Sequence, residues 1–127
     1  MGELFSNEYN WDIDLEFGKV GERRLNDIFA NEKIEVKRDR IALRTGNMAI
    51  EYMQQGRPSG IATTEADYWC YIFTNGDDDA VYVIIPTDRL KEIAREQYKL
   101  GNIKHCGDNK NVIVLVPVTE LFNLKNK

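Results

Sequence analysis

Apolar and polar residues alternate in two short runs, Ile34–Arg40 and Met48–Met53, on either side of a polar connection containing Thr45-Gly46-Asn47. Apolar side chains at every second position predict strands with one buried face. In the first run Ile34 and Val36 take one face, so Glu35, Lys37 and Asp39 share the other. In the second, Glu51 follows Ala49 and Ile50, a carboxylate inside an apolar stretch. The spacing predicts a hairpin that sets Asp39 beside Glu51. Two carboxylates held together away from water cost several kcal/mol, about 3 or more, unless a cation pairs with them. The pattern therefore points to a metal site.

The same reading extends along the chain. Trp11, Ile13, Leu15 and Phe17 alternate with Asp12, Asp14 and Glu16, predicting an edge strand or extended acidic arm over residues 1–17. Gly18 opens a helix expected over Lys19–Ala30, with Glu22 in line with Leu25 and Phe29 on the face that packs inward. Turn formers fill Gln54–Gly60. A helical turn or short connection near Thr64–Asp67 leads into an aromatic strand ending about Thr74. Asn75-Gly76 then makes a hairpin turn kept wet by Asp77, Asp78 and Asp79. Ala80–Pro86, nearly continuous in β-branched residues, reads as a central strand buried on both faces. Thr87 is the expected N-cap of a helix over Asp88–Lys99, stopped by Gly101 and turning Leu90, Ile93, Ala94 and Gln97 inward. Strands at Ile103–Cys106 and Val112–Val116 and a short helix from Thr119 to Phe122 complete the order. Strands interleaved with helices imply an α/β fold, a mixed central sheet flanked by helices in one domain over residues 1–127.

Composition permits a real core, with 43% hydrophobic and 10% aromatic residues. The net charge of −4 argues against coating nucleic acid by bulk attraction, but its distribution is uneven. Residues 1–17 hold five acidic residues and no basic one, whereas residues 18–45 hold eight basic against five acidic. Positive charge is thus concentrated around the acidic cluster, an arrangement that suits an anionic substrate meeting a metal centre. Cys70 and Cys106 lie far apart, with Cys70 in an apolar run, so no disulfide framework is expected and the compartment is read as reducing and cytoplasmic. With a single histidine, His105, no zinc set is expected. No apolar stretch approaches the roughly 18 residues needed to span a bilayer, and the start lacks a basic, then apolar, export pattern.

The segments EVKRD, TGN, IEY, PSG and ADYW, within Gly18–Phe73, resemble the PD-(D/E)XK nuclease superfamily, which includes restriction enzymes, Holliday-junction resolvases and small phage-type endonucleases. The resemblance implies a restriction-endonuclease-like core, an early helix carrying Glu22, a strand carrying Asp39 and a following strand carrying Glu51. It further implies Mg²⁺, replaceable by Mn²⁺, held by Glu22, Asp39 and Glu51, with Lys37 as the catalytic cation. DNA would meet Arg38, Arg40 and Arg44, a homodimer would reach two strands, and the setting would be a host cytoplasm. One departure stands out: the position two after Glu51 is Met53, where the superfamily has lysine. Either Lys37 takes over from the neighbouring strand, or Glu35-Val36-Lys37 is itself the Glu-x-Lys, with Asp14 as partner. A non-catalytic DNA-binding or assembly module that keeps the fold is the alternative function, and a structural protein with a solvated acidic face is a third.

Overall fold

The computed structural model describes residues 11–124, and the chain divides after Glu32 into two units. The described part of the first is a helix, α1, Trp11–Asn31. The strand expected around Trp11–Phe17 is therefore corrected: this stretch is the first part of the helix, and the rest of the acidic arm lies outside the described residues. Alternation marks a strand only when a buried face imposes it. Leu15 and Phe17 are 61% and 81% exposed, and the backbone closes its hydrogen bonds within the helix. The inward face expected for Glu22 is not found either, since Glu22, Leu25 and Phe29 are all exposed.

From Lys33 onward the chain builds two sheets rather than one. Strands β1 (Ile34–Asp39), β4 (Tyr68–Asn75) and β5 (Asp78–Pro86) form the first, in the order β1-β4-β5. Strands β2 (Asn47–Gln54), β3 (Arg57–Pro58), β6 (Ile103–Cys106) and β7 (Asn111–Pro117) form the second, in the order β3-β2-β7-β6. Strand β1 runs parallel to β4, while β5 folds back antiparallel through the expected turn at Asn75-Gly76. Helix α3, Thr87–Lys99, follows β5. The α/β class holds, and among the described residues no helix is long and apolar enough to cross a membrane.

The core gathers Trp69, Tyr71 and Phe73 of β4, Met48 and Ile50 of β2, Val114 and Val116 of β7, and the inner stripe of α3. Leu90, Ile93, Ala94 and Gln97 are all buried, as the 3.6-residue period requires. The three β4 aromatics stack in sequence, with ring centroids 6.1 and 6.0 Å apart. Here β4, not β5, is the central buried strand. β5 lies at the sheet edge, and most of its length is exposed. Thr87 does not cap α3; its hydroxyl donates instead to the Ala66 carbonyl at 2.7 Å.

The hairpin expected between β1 and β2 is absent, because the two strands belong to different sheets. Between them the chain makes a one-turn helix, α2, Ala42–Thr45, closed by Gly46 at φ 80°. A left-handed residue ends the turn and re-aims the backbone, and glycine adopts that conformation without a Cβ penalty. The connection is a corner, and Asp39 holds it.

Candidate functional site

Strand β1 carries Glu35, Lys37 and Asp39 on one face, as the alternation predicts, but that face points toward the core side of the sheet. Parallel register sets Glu35 beside Trp69, Lys37 beside Tyr71 and Asp39 beside Phe73. Val36, expected to be buried, is 55% exposed, and Asp39 is only 9% exposed. The bulk of the β4 aromatics fills the interior, leaving the adjoining positions of the edge strand to polar side chains at its rim.

The Asp39 carboxylate is engaged by the backbone. Its Oδ1 accepts the N–H groups of Ile41 at 2.8 Å and Ala42 at 2.9 Å, satisfying donors at the start of α2. Its Oδ2 receives one longer bond, 3.4 Å, from the N–H of Ala49 in β2. Asp39 therefore links the end of the first sheet to the second. Tyr71 makes a parallel link by donating its hydroxyl to the Ala49 carbonyl at 3.4 Å. Burial, then the negative charges of Asp39 and Glu35, push the Tyr71 phenol far above the usual tyrosine range, so it stays neutral.

This junction opens into a groove of about 530 Å³. Lys37, Arg38, Arg40 and Lys104 line it, and Asp39 is the one carboxylate among the lining residues. Its far wall is the face of the second sheet turned away from the core, contributed by Ala49, Ile113 and Leu115. Glu51 shares that strand face with Ala49 and is registered opposite Ile113, so it lies beside the groove wall although it does not line it. Among the described residues no hydrogen bond or ion pair engages its carboxylate. Gly60, at φ 55°, packs against the Glu51 backbone: a Cβ there would lie 2.2 Å from the Glu51 carbonyl oxygen.

Lys37 stands over the Trp69 ring, Nζ 5.8 Å from the centroid, a cation–π contact that fixes where its charge points. Arg38 leans to the opposite side of the strand, where Nε donates to Asp79 at 2.9 Å and a terminal nitrogen donates to the Asp77 carbonyl at 2.8 Å. Hydrogen bonds from Tyr82 and from Arg38 hold the Asp79 carboxyl below the usual carboxylate range. Arg44 is exposed on α2 and does not line the groove, and Glu22 belongs to the helical unit. Of the expected set, Lys37, Asp39 and Arg40 thus meet at the groove, Arg38 turns its guanidinium away to Asp79, Glu51 flanks them, and Arg44 stands apart.

Three lining residues escape sequence reading. Lys104 and Cys106 lie in a strand whose face is undefined until its pairing with β7 is known, and Tyr71 reads as core. Among the described residues, no group of three or more His, Cys, Asp or Glu side chains is arranged to hold a metal ion. Mg²⁺ asks for less, since one or two carboxylates plus waters and substrate phosphate hold it. By donor chemistry the Oδ2 of Asp39, with its single long bond, offers one such oxygen, and the unengaged Glu51 carboxylate, outside the groove lining, is a second of the right kind.

No family model matches the chain, and no curated protein or solved structure does either.

Proposed function

We propose that the protein is a Mg²⁺-dependent DNA endonuclease with a restriction-endonuclease-like core, working as a homodimer on DNA in the cytoplasm. The observation that carries this reading is the groove in which Lys37 and Asp39 meet the Glu51-bearing face of β2 under a cationic rim. Asp39 and Glu51 would hold the ion. A divalent ion bound there would lower the pKa of its water and neutralise the phosphate. Lys37, steadied over Trp69, balances charge on the phosphate and replaces the lysine missing at Met53. Arg40 and Lys104 hold the backbone without reading bases.

Glu22 enters this reading only as an exposed carboxylate on α1. The test uses supercoiled plasmid, linear duplex and branched DNA with Mg²⁺ or Mn²⁺. Wild-type protein nicks DNA only with metal, whereas Glu51→Gln and Lys37→Gln still retain DNA in a gel shift but give no product. Cleavage that survives Glu51→Gln would refute the assignment. Met53 favours a second reading, a DNA-binding module without hydrolysis, and DNA retention with no metal-dependent product in the wild type would establish it.

A further inference from the structure

Helix α3 carries Lys91, Arg95 and Lys99 at intervals of four, so the three cations stand in a row along one side. They border a second groove, of about 320 Å³, with Ile61, Ala94 and Val114 among the apolar residues that line it. Its aromatic wall is a pair drawn from two elements, Tyr52 of β2 and Tyr98 of α3. Their ring centroids are 5.1 Å apart and their planes are inclined by 38°. No carboxylate lines this groove. Val114 faces the opposite side of β7 from Ile113 and Leu115, so the two grooves lie on opposite faces of one sheet.

Each part of this groove selects a chemical feature. An apolar floor beside paired phenol rings accepts a flat heteroaromatic ring, because stacking needs a π face and tolerates any base. A row of cations accepts phosphate oxygens, arginine by two parallel hydrogen bonds and lysine as a point charge. The volume falls at the lower end of small-molecule pockets, about 300–1,000 Å³. An acidic peptide would engage the cations but leave the aromatic wall unused.

We propose that this groove binds a nucleotide, with its base against Tyr52 and Tyr98 and its phosphate on Lys91, Arg95 and Lys99. The site is independent of hydrolysis in the first groove. Two sources supply this chemistry: a free nucleoside phosphate, or an unstacked nucleotide within a single strand.

The experiment is calorimetry with AMP, ATP and ribose 5-phosphate, together with anisotropy of a labelled single-stranded oligonucleotide, all in EDTA so that no cleavage intervenes. At least one nucleotide form binds, and ribose 5-phosphate binds at least tenfold more weakly than AMP when the free form is the ligand. Tyr98→Ala and Arg95→Gln each weaken binding by about tenfold, within the range for one stacked base or one phosphate contact. Tyr98→Phe keeps the affinity, and Lys104→Gln, altered only in the first groove, leaves AMP binding unchanged. Tyr98 is 44% exposed, so these variants fold, and circular dichroism checks that they do. Binding of AMP or ATP assigns a free ligand; binding of the strand alone, weakened about tenfold in Tyr98→Ala, assigns the strand. An affinity unchanged in Tyr98→Ala, ribose 5-phosphate as tight as AMP, or no binding of either form up to millimolar concentration overturns the proposal.

Discussion

Asp39 is asked to do two things, and a pair of substitutions separates them. Removing the carboxylate in Asp39→Ala strips the acceptor from two N–H groups. The Ile41 N–H belongs to a residue that is 46% exposed and can turn to water, but Ala42 is 1% exposed and its donor is left buried. An orphaned buried donor costs about 1–3 kcal/mol, and a missing cap about 1 kcal/mol. Asp39→Ala is thus expected to lose about 2–3 kcal/mol, a fall in melting temperature on the order of 10 °C. Asparagine offers the same Oδ1 and caps as well as aspartate. Its amide, however, faces the Ala49 N–H donor to donor, at a separation already 3.4 Å long. Asp39→Asn should therefore lose no more than about 1 kcal/mol. The assays are chemical denaturation at neutral pH and plasmid nicking with Mg²⁺ on the same preparations. Both variants are expected to lose cleavage, and only the alanine variant to lose much stability. Equal destabilisation by the two would refute the assignment of the corner to Oδ1, and cleavage by a folded Asp39→Asn protein would refute the role of the charge.

Three other outcomes follow from the same geometry. Gly60→Ala combines left-handed backbone with a Cβ at 2.2 Å from the Glu51 carbonyl oxygen. It should destabilise by about 3 kcal/mol or more, measured by urea unfolding. The Tyr71 phenol is raised in the folded state, so its contribution is fully present below the ordinary tyrosine value of 10.0 and is lost as pH rises beyond it. Unfolding midpoints at pH 9 and pH 11 should therefore differ less in Tyr71→Phe than in the wild type, and an unchanged difference would count against the buried phenol. Neutralising Arg40 or Lys104 should weaken DNA retention and reduce the slope of log affinity against log salt by about one for each phosphate no longer neutralised; weaker retention with an unchanged slope would place those side chains away from the backbone.

The local pattern was legible wherever a strand or helix has a face that the core defines. The positions of β1 and β2 to within one residue at an end, the Asn75-Gly76 turn and the buried stripe of α3 all follow from spacing. What spacing does not carry is which strand pairs with which. β1 finds β4 rather than β2, so the aromatics of β4 take the centre and the β-branched run of β5 is left at the edge. The same long-range pairing hid Lys104, whose place on the groove depends on its register opposite Ile113. Lys37, Asp39, Arg38 and Arg40 were legible because neighbours on one strand end stay neighbours whatever that strand pairs with. Trp11–Phe17 misled for the opposite reason: no described burial enforces its alternation.

The fastening of α2 by Asp39 bears on how any future relative should be interpreted. An aspartate or asparagine at that position would be retained by selection for folding alone, with or without chemistry, so an acceptor persisting there is no witness to activity. Glu51, which secures nothing among the described residues, carries no such obligation. Under the proposed reading, its replacement is the change that would mark lost hydrolysis.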